Sequence, residues 1–250
     1  EGKLSAGRSA EMRMTWLLLT MLAGGLLLTC GCENPLEIDR QTEIDIGREA
    51  AAELEKEQGL VSDPAALARV TRIGRRIAAV TEEPDLPWSF KILNQQQANA
   101  VALPGGFVYV TKGMLDYVKS EDELAGVIAH EANHVAHHHA KAGIERAMAR
   151  GLLVELATRR SSETLRQAAG IALDLQLREG YRDKEYEADR FGVTYAHRAG
   201  YRARGLRDLL QQLHEKQGDP HRVTWLLQSH PPLSKRVERL DEYLPTLTGR

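Results

Sequence analysis

Apolar residues recur along this chain at two spacings, one helical and one strand-like, and the changes between them divide it into elements. From Thr42, the positions Ile44, Ile46, Ala50 and Leu54 stand among acids and Arg48, which predicts an amphipathic helix ending near Gly59. Asp63 offers an N-cap with Pro64 at the first helical position. Leu67, Val70, Ile73, Ile77 and Val80 then recur at three and four, predicting a second helix with one buried face. Both helices read as core scaffolding. Between Trp88 and Leu93 the pattern changes to alternation among strand formers. In residues 99–111 two apolar extended runs flank Pro104-Gly105-Gly106, a hairpin-like turn between strands. An exposed edge of this small sheet could hold an extended peptide by main-chain hydrogen bonds, or the sheet could simply cover the core.

Helical spacing returns at Ser120-Glu121-Asp122-Glu123, a capping box in which Ser120 bonds the Glu123 amide and Glu123 reaches back. The helix it starts runs through Leu124, Val127, Ile128, Ala132 and Val135. Residues 146–177 read as helical with a polar break at 158–164. Residues 184–198 and 203–217 form two further helices across Gly200, and a last one runs from Leu233 to Tyr243 after Pro231-Pro232. The fold class is therefore α+β, mostly α.

The first 32 residues stand apart. Trp16 to Leu28 is an uncharged apolar run preceded by Arg13, too short for a transmembrane helix of about 20 residues. It has the build of a secretory signal, with residues 1 to about 11 as non-native sequence. Cys30 and Cys32 are the only cysteines, so a disulfide framework is excluded. Their neighbourhood resembles a lipobox; Cys32 is the better lipidation site because the small Gly31 precedes it. A plain signal peptide or an uncleaved anchor helix is the competing reading. The expected organisation is a signal/lipoprotein segment at 1–32, a tether at 33–40 and one domain at 41–250. A formal net charge of −2 marks no nucleic-acid partner.

The candidate chemistry lies in His130-Glu131-Ala132-Asn133-His134, inside the capped helix. A helix turns about 100° per residue, so residues i and i+4 return to one face and two imidazoles can reach one ion. Zinc accepts neutral imidazole nitrogen, and Glu131 beside the first histidine can take a proton from water. An accidental grouping on a solvated face is disfavoured by the apolar character of residues 124–136, where such groups would be costly to bury. His137, His138 and His139 read as a histidine-rich helix end favoured by the dipole, with His138 a possible outer neighbour of the site. A third ligand is needed, and Glu185 with Asp189 one turn on supplies a ligand and a group to hold a histidine in its correct tautomer.

Four stretches, NAVALPGGFVYVTKGML, ELAGVIAHEANHVAHHH, EYEADRFG and SHPPLSKRVERL, together resemble the M48 family of zinc metallopeptidases. That family is related to HtpX-type and Oma1-type peptidases, and this chain is most similar in build to its single-domain bacterial lipoprotein members. The resemblance implies a zincin-like (gluzincin) domain with the small sheet over the active-site helix, and one Zn2+ per chain on His130, His134 and Glu185. It implies Glu131 as catalytic base, Asp189 as supporting acid, and His230 as oxyanion stabiliser or regulatory fourth ligand. Arg182 matches a family arginine, although Tyr181 replaces the serine that often precedes it. Ala100, Val101, Ala102 and Leu103 would bind the extended substrate. The expected function is a membrane-tethered zinc metalloendopeptidase acting on misfolded or envelope proteins. It would be lipid-anchored on the periplasmic side, on the outer membrane of a Gram-negative bacterium. Two other readings stay open: a zinc-bearing chaperone or adaptor in outer-membrane assembly whose site is plugged by residues 146–180, and a zinc hydrolase of a non-peptide ester or amide.

Overall fold

A computed structural model describes residues 37–149, 161–176, 182–215 and 232–248. The segment with Cys30 and Cys32, part of the 158–164 break and His230 lie outside these residues. The fold is α+β and mostly helical, as the periodicity predicts.

Helix α1 (Arg40–Gln58) starts where the Asp39 carboxylate accepts the Thr42 amide at 2.8 Å. Helix α2 (Pro64–Ala78) is capped by Asp63, which accepts from the amides of Ala65 and Ala66. Strands β1 (Ser89–Leu93), β2 (Ala100–Leu103) and β3 (Phe107–Thr111) follow, then a short α3 (Lys112–Tyr117). Strand β3 is central. It pairs parallel with β1, Ser89 opposite Phe107, and antiparallel with β2, Ala100 opposite Val110. The β2–β3 connection is the expected tight turn, and β2 is an outer strand of the three.

Both sheet faces are covered, so the alternation within each strand sorts side chains between two apolar layers. Phe90, Ile92, Ala100, Ala102, Val108 and Val110 join the main core. Leu93, Val101, Leu103 and Tyr109 pack instead on Ala50 and Leu54 of α1 and on Ala169 of α6 (Ser162–Gln176). Gly47 makes the second of these layers close: a Cβ there would fall 1.9 Å from the Pro104 carbonyl oxygen, so α1 rests directly on the 104–106 turn.

Helix α4 (Glu121–Ala136) is the central element. Almost every residue from Glu123 to Ala136 is buried, because α2, α7 (Arg182–Arg198) and α8 (Arg204–Glu215) pack around it and β2 lies against it. Its cap differs from the expected box in one detail. Ser120 accepts from the Glu123 amide at 3.2 Å, but Glu123 reaches the Lys119 amide, at 2.7 Å, and its other oxygen accepts from Gln212. The carboxylate thus ties the helix start to α8 as well.

The histidine-rich end of α4 is more than a dipole cap. His138 adopts a left-handed conformation (φ 51°) and its amide bonds the Val135 carbonyl, so the chain turns and α5 (His139–Ala149) restarts well before the expected Arg146. Asymmetric residues pay strain for this conformation, which glycine usually occupies at a helix end. What retains His138 is Glu43 of α1, a buried carboxylate 2.9 Å from its Nδ1. Hydrogen bonding to Glu43 raises the His138 pKa above the ordinary histidine value, with burial and Lys141 opposing and Glu83 assisting. The folded state therefore binds this proton more tightly than the unfolded chain. The resulting stabilisation is complete below about pH 6.5 and is lost as pH rises through the raised value. The gap in Tm between wild type and His138→Gln is expected to be wider near pH 5.5 than near pH 8.5 in thermal scans, and an equal gap at both would refute it.

Helices α6, α7 and α8 precede α9 (Leu233–Thr248), which continues past the expected end at Tyr243 and carries Pro245 near its last turn. No helix among the described residues is long and apolar enough to cross a membrane.

Candidate metal centre

Helix α7 crosses α4 at the histidine pair. Gly192 permits this approach: a Cβ there would stand 3.0 Å from the His130 amide nitrogen. The crossing lays Glu185 and Asp189, one turn apart on α7, against His130 and His134, one turn apart on α4.

The result is a compact donor set. His130 Nε2 and His134 Nε2 are 3.3 Å apart. Glu185 lies 3.4 Å from each, through Oε2 to His130 and Oε1 to His134. A tetrahedral ion with bonds of about 2.0–2.1 Å spaces its ligand atoms about 3.3–3.4 Å apart. Two imidazoles and one carboxylate at this spacing, with His130 and Glu185 buried, form a group able to hold a metal ion. The donor chemistry fits zinc, which takes one further ligand beyond these three.

Behind this group lies a second layer. His130 Nδ1 faces Asp189 Oδ1 at 3.1 Å, and Asp189 is gripped by two hydrogen bonds from Arg236 of α9, at 2.8 Å from Nε and 2.6 Å from Nη2. Burial works against charge on Asp189, but Arg236 and His130 outweigh it and hold the carboxyl at about 2. Burial also opposes charge on His130, yet hydrogen bonds to Asp189 and Glu185 raise it to about 9 in the metal-free protein. A metal must therefore displace a proton there, as neutral imidazole is the ligand form.

Glu131 is buried beside these groups. Desolvation pushes its carboxyl up to about 7; Glu185 adds to this, while His130 and Arg236 oppose it. A carboxyl with that value suits general-base work near neutral pH. Glu131, His130 and Arg236 also line a small cavity with Ala100 of β2 and Leu206, Leu209, Leu210 and Leu213 of α8. Its volume of about 20 Å³ among the described residues has room for about one water.

The structure thus brings together His130, Glu131, His134, Glu185 and Asp189, with Ala100 at the edge of the group. Val101 and Leu103 point into the layer beneath α1 instead. Arg182 begins α7, and its side chain lies outside the described residues, as does His230. Sequence reasoning missed Arg236 and His139. Arg236 stands in the quoted SHPPLSKRVERL stretch, where its apolar flanks Leu233, Val237 and Leu240 were the available signal that it faces inward. His139 is buried, with Nδ1 2.9 Å from His134 Nδ1. Burial, reinforced by Lys184, lowers its pKa to about 4 despite the opposing Glu187, so it is neutral at physiological pH.

The sequence signature of peptidase family M48 matches residues 64–244. The chain is 31% identical over 177 residues to a mitochondrial metalloendopeptidase OMA1 of Schizosaccharomyces pombe, covering 70% of this chain and 52% of that protein. It is 27% identical over 250 residues to the metalloprotease YcaL of Escherichia coli, covering 92% and 97%. A beta-barrel assembly-enhancing protease of Yersinia pestis is 26% identical over 246 residues, covering 94% and 49%. The chain spans about half of the first and third of these relatives and nearly all of the second.

Proposed function

Since the chain belongs to peptidase family M48, we propose that it is a zinc-dependent endopeptidase with His130, His134 and Glu185 as metal ligands and Glu131 as general base. The observation that carries the reading is the convergence of those three side chains, with the two imidazole nitrogens 3.3 Å apart and each 3.4 Å from an oxygen of Glu185, and a buried carboxyl alongside.

A zinc ion bound there supplies a Lewis acid that acidifies water and polarises the scissile carbonyl. Glu131 takes the proton from the attacking water and returns it to the leaving amine. Asp189, charged at neutral pH through Arg236, accepts from His130 Nδ1 and keeps Nε2 free to act as a ligand. The substrate backbone runs along β2, an outer strand of the sheet, with Ala100 nearest the reacting centre. Among the described residues the cavity beside Glu131 is small, which suits cleavage of extended, unfolded chain with varied side chains better than recognition of one.

Chelation should test this directly. Purified protein is expected to cleave an unfolded model substrate such as casein, to lose that activity with a chelator, and to regain it with one equivalent of Zn2+. Hydrolysis that survives complete removal of the metal would refute the reading.

The substrates are proposed to be unfolded proteins of the cell envelope. Support comes from relatives named for β-barrel assembly and from the apolar run before Cys30-Gly31-Cys32. On this reading Cys32 carries lipid and the domain faces the periplasm from the outer membrane. Cys32→Ser should release the protein from the membrane fraction; a variant that stays there and still carries lipid would rule the anchor out.

A further inference from the structure

The two ligand-type histidines are backed by different groups. His130 has the Asp189 carboxylate behind its Nδ1. His134 has another imidazole: its Nδ1 lies 2.9 Å from Nδ1 of His139. Such a contact between two nitrogens is a hydrogen bond only if one of them carries the proton and the other a lone pair.

The direction follows from the chemistry of the site. A metal on His134 Nε2 leaves the proton of that neutral imidazole on Nδ1, so His134 donates and His139 Nδ1 accepts. The proton of His139 must then sit on Nε2. That atom is buried, has no hydrogen-bond partner among the described residues, and faces Glu187 Oε1 at 3.9 Å. The Glu187 carboxylate is itself held in place by His137 at 2.7 Å and Lys184 at 2.9 Å. A negative group opposite Nε2 favours the proton there, which is the tautomer that His134 requires.

We propose that His139 is the positioning residue of the ligand His134, selecting its metal-binding tautomer and fixing its ring, with Glu187 selecting the tautomer of His139 in turn. This rests on the metal-site reading above. The role depends on the turn at His138. On an unbroken helix a residue five positions after His134 would point about 140° away from it. The left-handed residue at 138 and the restart at His139 swing the imidazole back under the ligand.

His137, His139 and Glu187 also lie close enough together to hold an ion of their own. The tautomer decides between the two roles. An ion on His139 Nε2 would drive its proton to Nδ1, where it would oppose the proton on His134 Nδ1 across 2.9 Å. His139 can serve a second site only by abandoning the first.

Nitrogen-15 NMR of the zinc-loaded wild-type protein tests this without any substitution. The expected result is an unprotonated Nδ1 and a protonated Nε2 on His139. A proton on Nδ1, including one put there by a second zinc equivalent on His137, His139 and Glu187, would overturn the proposal. Zinc affinity by chelator competition gives an independent arm. His139→Phe should bind about 10–100-fold more weakly, while His139→Asn, whose carbonyl oxygen stands near the Nδ1 position, should recover most of the loss. A His139→Phe protein as tight as wild type overturns the positioning role alone. A wild-type protein that binds no zinc overturns the metal-site reading and this inference with it.

Discussion

Glu131→Gln is expected to keep its zinc and lose peptide hydrolysis by at least about 10²–10⁴-fold, the usual contribution of a positioned general base. Glutamine has nearly the same shape and removes only the ability to take a proton, so the ligand spacing of His130, His134 and Glu185 should survive. Metal content at one equivalent together with lost turnover separates a failed base from a failed site; wild-type turnover would refute the role. The pH dependence carries a second sign. Burial sets Glu131 at about 7 in the metal-free protein, and a nearby cation favours its charged form. In the loaded enzyme kcat/KM should therefore rise with pH along an acid limb that inflects below 7, and Glu131→Gln should lack that limb.

Arg236→Met should be the most damaging change that touches no ligand. It removes the two Arg236 hydrogen bonds to Asp189, a carboxylate only 3% exposed, and leaves that buried charge with His130 as its remaining partner. Breaking a buried pair in this way costs about 3–5 kcal/mol. The loss should be measured by denaturant unfolding of the metal-free protein, where no ligand binding contributes. Asp189 is held at about 2 in the native fold, below its unfolded value, so its stabilisation is present above about pH 4 and fades as pH falls toward 2. The difference between Arg236→Met and wild type should shrink over that window. Adding Asp189→Asn should restore part of the stability, because it discharges the stranded group, but not metal affinity, because His130 then lacks its anionic partner. A loss below about 1 kcal/mol for Arg236→Met would mean that the pair does not matter in this way.

Most of the fold is legible from local pattern. Asp63-Pro64 starts α2 as expected, Ser120 starts α4, and alternation around Pro104-Gly105-Gly106 gives the β2–β3 turn. Periodicity succeeds there because each of these elements buries one face or both and is punctuated by a cap or turn residue. The parallel pairing of β1 with β3 is less accessible: it joins strands separated by β2, and no local signal chooses parallel over antiparallel. The end of α4 misleads. Three consecutive histidines look like a polar terminus, yet Glu43, His134 and Glu187 arrive from other elements or from the preceding turn and give each ring a separate partner.

What the sequence by itself determines is the chemistry that follows a helical repeat. His130 and His134 share a face because they are four residues apart, and Glu185 and Asp189 do so for the same reason, whatever surrounds them. What only the tertiary structure decides is how those two faces meet and what stands behind them. The Gly192 crossing sets the distances among His130, His134 and Glu185; α9 delivers Arg236 to Asp189; the turn at His138 returns His139 to His134. Periodicity orients a side chain about its own axis, but contact between residues far apart in the chain depends on the packing of whole helices. Arg236 and His139 stand outside the four-residue spacings of the site, so their roles emerged only from that packing.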